Sequence, residues 1–133
     1  MTKNVFITGG LGQDAQILIN ILKKKKINLT ILSRTKKSKT LGNVKFIKEN
    51  LLNKGRLDLI FIKKKPDIVL HLASNNPSFN ETNYKIFFKE NFLATKNIFQ
   101  AIVDRRLFNQ QTKHARLNPT LATPPNKAAA LDR

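Results

Sequence analysis

The sequence has no cysteine, and only eight acidic residues stand against 25 lysines and arginines in 133 residues. The absence of cysteine excludes disulfides, thiolate catalysis and cysteine-ligated metals, and it is typical of a reducing compartment. No apolar run approaches the roughly 20 residues needed to span a bilayer, and the beginning MTKNVFITGG lacks the layout of a signal peptide. The sequence therefore predicts a cytoplasmic protein with no membrane partner.

The shortage of acidic residues leaves a net charge of +17, which raises the question of a nucleic-acid partner. Most of the cations are lysines, many of them in runs at 23–26, 36–37 and 63–65, in a chain rich in Asn, Ile and Phe. This mixture is typical of compositional drift onto solvated helix ends and loops. No aromatic-rich strand motif or zinc-finger spacing accompanies the charge. A basic nucleic-acid-binding protein is therefore the least favoured function.

The composition of the chain changes near its last quarter, since all 13 isoleucines lie before Arg105. Three of the five prolines interrupt the closing stretch, which has neither helical nor strand periodicity. We therefore expect a folded domain over residues 1–104 and an irregular tail of different composition over 105–133. The composition of the tail fits a native extension, a frameshifted end or a vector-derived segment.

Short apolar runs alternate with amphipathic stretches within the expected domain. Strands are predicted at 3–8, 27–32, 44–47 and 67–73, and helices at 13–25, 54–64 and 82–104. Short strands that alternate with helices imply parallel strands joined by right-handed crossovers. The predicted fold class is therefore α/β, with a partial Rossmann-like, doubly wound parallel sheet of strand order 3-2-1-4.

The stretch TGGLGQDA at 8–15 joins the first predicted strand to the first predicted helix. Gly9 lets the chain turn, Gly12 leaves room for a pyrophosphate to approach the backbone, and the small Ala15 lets the helix pack on the strand. The free N–H groups at the start of the helix then face the anion. This context favours a dinucleotide-binding turn over a purely structural one. The lack of a GxxxxGKS/T sequence disfavours a P-loop NTPase.

The end of the second strand indicates which dinucleotide is bound. An NAD site usually has Asp or Glu there to bind the adenosine ribose, whereas this chain has Ser33 and Arg34, with no acidic residue between Asp14 and Glu49. A guanidinium and a hydroxyl suit a ribose 2′-phosphate, which a carboxylate would repel. NADP is therefore favoured over NAD. The alternative is that Arg34 is one more surface cation of a basic chain.

Four segments together resemble the front half of the extended short-chain dehydrogenases/reductases, the NAD-dependent epimerase/dehydratase family. They are FITGGLGQDAQIL at 6–18, the pair Ser33-Arg34, PDIVLHLAS at 66–74 and NFLATKNIFQAI at 91–102. The segments occur in the family's order and spacing over residues 3–103. Within the family, the Gly12-Gln13-Asp14 turn is most similar to that of the GDP-mannose 4,6-dehydratases. The resemblance implies an NADP-dependent enzyme that dehydrates or epimerises a nucleotide sugar.

The resemblance also implies which residues bind the cofactor. The glycine turn would wrap the pyrophosphate with Gly9, Gly10, Leu11, Gly12, Gln13 and Asp14. Ser33 and Arg34, at the end of the second strand, would hold the 2′-phosphate. Asn50 and Leu51, after the third strand, would approach the adenine, and Leu72, Ala73 and Ser74, at the end of the fourth, would line the nicotinamide ribose.

The catalytic Tyr-x-x-x-Lys segment of the family is missing. The one tyrosine, Tyr84, is followed four residues later by Phe88 rather than by lysine. The family's fifth strand and sugar-binding domain have no counterpart either. We therefore expect a chain truncated before the catalytic half and inactive alone, with a nucleotide-sugar substrate only in a full-length parent. The resemblance also implies a homo-oligomer through the helix at 82–104. The alternative is a complete, non-catalytic dinucleotide-binding module.

Overall fold

The computed structural model describes residues 2–74 and 83–117. Its elements, in chain order, are β1 (Lys3–Thr8), α1 (Gln13–Leu22), β2 (Ile27–Ser33), β3 (Lys39–Leu41), β4 (Val44–Lys48), α2 (Lys54–Lys64), β5 (Ile68–His71) and α3 (Tyr84–Leu117). The strands form one sheet of order β3-β4-β2-β1-β5, in which β4, β2, β1 and β5 are parallel. The predicted order 3-2-1-4 is confirmed for these four strands.

Strand β3 is an addition that the sequence did not predict. It pairs antiparallel with β4, and its three residues are all exposed. Gly42 has φ +60° between the two strands, a conformation that favours glycine and lets the chain reverse. Lys36 Nζ lies 3.6 Å from the centre of the Phe46 ring, at the same edge of the sheet. A three-residue strand with no buried side chain has no hydrophobic pattern, so periodicity could not reveal it.

Helices cover both faces of the sheet and create two apolar layers. Successive strand residues point to opposite faces, so Val5 and Ile7 face α1 whereas Phe6 faces α2 and α3. The first layer contains Val5, Ile7, Ala15, Ile19, Leu29, Ile31, Val44 and Phe46. The second contains Phe6, Leu32, Leu51, Leu57, Ile60, Phe61, Ile98 and Ala101. The rings of Phe6 and Phe61 meet edge to face, 4.8 Å apart, which adds about 1 kcal/mol to their burial.

Helix α3 begins at Tyr84 and continues past the expected end at Asp104 to Leu117. The expected start at Thr82 lies outside the described residues, as does the stretch 118–133 of the tail. Residues 105–117 are helical rather than irregular because they are rich in Arg, Leu, Gln, Lys and Ala and contain no proline. The predicted helix end at Asp104 was therefore wrong, as was the predicted irregular structure over 105–117. A domain boundary after Asp104 stays a prediction.

Polar contacts attach the middle of α3 to the rest of the domain. Lys54 Nζ lies 2.6 Å from Asp58 Oδ1 and 2.8 Å from Asp104 Oδ2, so it joins α2 to α3. Arg105 Nη1 donates to the carbonyl oxygen of Pro66 at 2.7 Å. The change of composition near Arg105 therefore falls within a packed helix. No helix within residues 2–74 and 83–117 is long and apolar enough to cross a membrane.

Candidate cofactor-binding site

A groove of about 260 Å³ lies at the carboxyl ends of the parallel strands. In a doubly wound sheet this edge is where ligands bind, because the strands end there and the loops that follow them converge. All of the predicted site residues line the groove except Gln13 and Asp14. The remaining lining residues, which were not predicted, are Leu32, Thr35, Glu49, Leu52, Glu90, Asn91 and Ala94.

Gly9 brings the turn after β1 into contact with the chain after β5. Its φ of +73° lies in the left-handed region that favours glycine. A Cβ on Gly9 would lie 2.7 Å from Ala73 N and 2.8 Å from Ala73 Cα, both of them backbone atoms. The close approach of these two loops forms the floor of the groove, and any side chain at Gly9 would separate them.

The other two glycines of the turn have different roles. A Cβ on Gly10 would lie 2.2 Å from Ile31 Cγ2, so Gly10 is required by packing against β2. A Cβ on Gly12 would meet only Gly9 O, at 3.3 Å. Gly12 therefore leaves space in the groove, and its predicted role toward a pyrophosphate stays a prediction. The packing role of Gly10 was not predicted.

Helix α1 starts at the groove without a side-chain cap. Gly12 is the N-cap residue, in extended conformation (φ −69°, ψ 156°), and no side chain caps it with a hydrogen bond. The first N–H groups of a helix need acceptors, and together with the helix dipole they attract an anion. Gln13 and Asp14 are exposed on this first turn but do not line the groove. Their contribution to an anion site would come through the backbone.

At the end of β2, Ser33 is buried and Arg34 is exposed, and both line the groove. Ser33 Oγ accepts hydrogen bonds from the backbone N–H groups of Thr35 and Lys36, each at 3.3 Å. These bonds shape the turn that follows β2. The Ser33 hydroxyl proton can still be donated, because a hydroxyl has one donor and two acceptor positions.

Glu49 adds a carboxylate that was not among the predicted site residues. It follows β4, and its backbone N–H donates to Ser33 O at 3.0 Å, which brings it beside the end of β2. Glu49 Oε1 accepts from Asn50 N at 3.1 Å, and Glu49 Oε2 accepts from Arg56 Nε at 3.2 Å. The side chain of Glu49 is 16% exposed. Its charge is therefore balanced by Arg56 on α2.

The segment after β4 forms the opposite wall of the groove. Asn50 Oδ1 accepts from Leu52 N at 3.0 Å, which closes a turn within the segment. Leu51 is buried in the layer shared with α2 and α3, and its carbonyl oxygen accepts from Asn97 Nδ2 at 2.9 Å. Helix α3 therefore fixes the position of this wall through Asn97.

A partly buried chain of polar side chains links β1, β5 and α3 below the groove. Thr8 is fully buried, and its Oγ1 lies 2.7 Å from His71 Nδ1. The same oxygen accepts from the backbone N–H groups of Leu72 at 3.1 Å and Ala73 at 3.2 Å. His71 Nε2 lies 3.0 Å from Thr95 Oγ1. Burial lowers the pKa of His71 below its ordinary value of 6.5.

The structure brings together no catalytic constellation among the residues that it describes. Tyr84 is 64% exposed at the start of α3, and Phe88, one turn later, is 79% exposed. Across the described residues, no three His, Asp or Glu side chains are grouped to hold a metal ion.

The chain matches the family model of the NAD dependent epimerase/dehydratase family over residues 5–114. The chain belongs to this family. The match includes every predicted site residue, and it extends beyond Asp104 into the last part of α3. The search of curated proteins found no match.

Several solved enzyme structures share the fold. WbmG of Bordetella bronchiseptica, solved with NAD and UDP, is 17% identical with a TM-score of 0.66, over 79% of this chain and 35% of WbmG. UDP-glucose 4-epimerase of Thermotoga maritima, solved with UDP-glucose, is 17% identical with a TM-score of 0.67, over 77% of this chain and 34% of the enzyme. Epimerase Mth375 of Methanothermobacter thermautotrophicus is 28% identical with a TM-score of 0.65, over 75% of this chain and 31% of Mth375. The chain spans about a third of the length of these family enzymes.

Proposed function

We propose that this chain binds NADP in the groove and is the cofactor-binding part of a nucleotide-sugar dehydratase or epimerase. The observation that carries the proposal is the uncapped start of α1 beside Gly12, whose missing side chain leaves space in the groove. A pyrophosphate fits this arrangement because it needs close backbone approach and unpaired N–H groups. When bound, the cofactor supplies a nicotinamide ring that accepts or returns hydride.

The choice of NADP is supported by the end of β2. Arg34 lines the groove and is exposed there, and no acidic residue lies on β2 or directly after it. Glu49 is the competing feature, since a carboxylate in this region would favour the free ribose of NAD. Its pairing with Arg56 reduces the negative charge that a 2′-phosphate would meet. NADP is therefore the proposed cofactor.

The proposed substrate class is a nucleotide sugar. Family membership supports it, as does the fold shared with an enzyme solved with UDP and with an epimerase solved with UDP-glucose. The similarity of the Gly12-Gln13-Asp14 turn to the GDP-mannose 4,6-dehydratases favours dehydration. Because the chain contains no Tyr-x-x-x-Lys segment, we propose that it is inactive alone and that a full-length parent supplies the base. We also propose a cytoplasmic location, because such cofactors occur there and a cysteine-free chain is compatible with a reducing compartment.

Gly12→Val tests dinucleotide binding directly. The backbone of Gly12 has an ordinary φ, and an added Cβ meets only Gly9 O, so valine should fit the fold and fill the groove. We expect the affinity for NADP⁺ to fall about 10- to 100-fold, because charge-assisted contacts to the pyrophosphate are lost. Isothermal titration calorimetry on the full chain measures the change. Gly55→Ala, at an open position of α2 away from the groove, is the control that should leave affinity unchanged. Equal affinity of Gly12→Val and wild type would contradict the proposal.

We further propose that two copies of the chain associate through α3. Phe88, Phe92 and Phe99 are 79%, 60% and 65% exposed on this helix. Their spacing of four and seven residues places them on one side of an α-helix, where they form an exposed apolar stripe. Exposed stripes of this kind mark protein contacts, and α3 of a second copy offers a matching stripe.

Replacing Phe92 and Phe99 together by serine tests this association. We expect the wild type to sediment as a dimer at micromolar concentrations and the double variant to sediment as a monomer, because the apolar contact is lost. Ile17→Ser with Ile21→Ser is the matched control, since both isoleucines are 54% exposed on α1 and should not affect association. A monomeric wild type at every concentration tested would rule out α3 as a self-association surface.

A further inference from the structure

We propose that His71 is a positioning residue whose neutral Nε2–H tautomer orients the Thr8 hydroxyl and thereby fixes the backbone of Leu72 and Ala73 beside the groove. The residue acts through Thr8 and does not itself line the groove. Its effect on cofactor affinity rests on the proposed function, whereas its protonation state and its effect on the backbone do not.

The hydrogen-bond geometry at Thr8 determines the tautomer. A threonine hydroxyl has one proton to donate and two lone pairs to accept with. The N–H groups of Leu72 and Ala73, at 3.1 and 3.2 Å, use both lone pairs. The hydroxyl proton must therefore point to His71 Nδ1, 2.7 Å away, which then accepts and carries no proton. The ring proton lies on Nε2, which donates to Thr95 Oγ1 at 3.0 Å.

Protonation of His71 would break this arrangement. With both ring nitrogens protonated, Nδ1 would have to donate to Thr8 Oγ1, whose lone pairs are already used. One of the two backbone N–H groups would then lose its acceptor. Because Ala73 N and Cα lie against Gly9 with no room for even a Cβ, a shift of this segment changes the floor of the groove.

The surroundings of His71 favour its neutral form. Burial of the ring lowers its pKa. Among the described residues, α3 carries Glu90 and Lys96 on either side of Thr95, and the glycine turn carries Asp14, whereas β1 has no titratable side chain from Val5 to Thr8. None of these charges reverses the effect of burial. The ordered chain of hydrogen bonds is therefore the state at neutral pH.

The sign of the pH effect follows from the lowered pKa. Above pH 6.5 both the folded and the unfolded chain hold a neutral His71, and its contribution to stability is fully present. As the pH falls below 6.5 the unfolded chain takes up the proton first, so stability is lost until the pKa of the folded state is reached. The loss of order at Leu72 and Ala73 is expected at lower pH, as the pH falls through the pKa of the folded state, because it requires protonation of His71 in the folded chain.

Nuclear magnetic resonance on the full chain tests the tautomer without any ligand. We expect ¹⁵N shifts of the Nε2–H tautomer at pH 7.5. We also expect the protection of the Ala73 amide, measured against the intrinsic exchange rate at the same pH, to fall about tenfold once His71 is protonated. His71→Asn is the matched variant, because its Oδ1 can accept from Thr8 but cannot titrate. Its Ala73 amide should keep the same protection at pH 5 as at pH 7.5. A proton on Nδ1 at pH 7.5, or equal pH dependence in both proteins, would overturn the proposal.

Affinity for NAD⁺ and NADP⁺ at pH 7.5, and at a lower pH where the ¹⁵N shifts show that His71 is protonated, gives the functional result. We expect wild-type affinity to fall about tenfold between the two values once His71 is protonated. In His71→Asn, the only remaining fall in affinity should be the part caused by titration of the dinucleotide itself. His71→Leu, which removes the acceptor, should bind weakly at both values. If the wild type binds neither dinucleotide, the proposed function fails while the tautomer result stands. If binding is normal and all three proteins share one pH profile, the role of His71 is refuted.

Discussion

Gly9→Ala is expected to destabilise the protein by about 3 kcal/mol or more. The left-handed conformation costs a residue with a Cβ about 1–2 kcal/mol, and forcing atoms into a packed site costs about 1–3 kcal/mol more. The atoms in the way are backbone atoms of Ala73 and Leu72, at 2.7 to 2.8 Å, which cannot rotate aside. The loss is large compared with the roughly 5–15 kcal/mol by which folded domains are stable. Urea unfolding followed by circular dichroism measures it.

Two other glycines separate the causes of this loss. Gly42 has φ +60° with open space around it, so Gly42→Ala should show the conformational cost alone, about 1 kcal/mol. Gly12→Ala, at an ordinary φ, should change stability very little. If Gly9→Ala were no less stable than Gly42→Ala, the close contact between the turn after β1 and the chain after β5 would not exist in solution.

Arg34→Asp is expected to reverse the preference between the two dinucleotides. A guanidinium that holds a 2′-phosphate contributes charge-assisted hydrogen bonds, each worth about 1.5–3 kcal/mol. Their loss, together with the new repulsion, should lower the affinity for NADP⁺ about 100-fold or more. NAD⁺ has no 2′-phosphate, so its affinity should change little. Titration of both dinucleotides against wild type and variant gives the ratio directly.

Controls for Arg34→Asp distinguish a specific contact from the general field of a basic protein. Lys37→Asp makes the same change of charge at an exposed residue that does not line the groove, and it should alter both affinities only slightly. Glu49→Gln removes the carboxylate beside Ser33 and should raise the affinity for NADP⁺. An unchanged preference in Arg34→Asp would exclude Arg34 as the residue that holds the 2′-phosphate.

The parts of the fold that the sequence predicted are those set by local pattern. The strands β1, β2, β4 and β5 are short apolar runs, and α2 ends just before Pro66, which has no N–H to donate, so periodicity and proline placed these elements correctly. The end of α3 was missed because a change of composition after Asp104 was interpreted as a structural boundary, although the residues that follow are good helix formers.

The segments that form the candidate site were predicted from the sequence, but the hydrogen bonds between those segments were not. Glu49 lies next to Ser33 only because β4 pairs with β2, which depends on the strand order rather than on neighbours in sequence. The contacts of His71 with Thr8 and Thr95 join three elements in the same way. A useful signal was present, since Glu49 and His71 both stand at the ends of predicted strands, where ligand-binding residues collect.

The two edges of the sheet differ in how readily each could pair with a further strand. At one edge, β3 is antiparallel, only three residues long and exposed, and it contains Lys39, so it is a poor partner for another strand. At the other edge, β5 pairs only with β1 within the part of the chain that the structure describes, and Ile68 there is 46% exposed. Its open side has the hydrogen-bonding pattern for one more parallel strand. Any extension of this sheet, whether by further chain or by a separate polypeptide, must therefore start at β5.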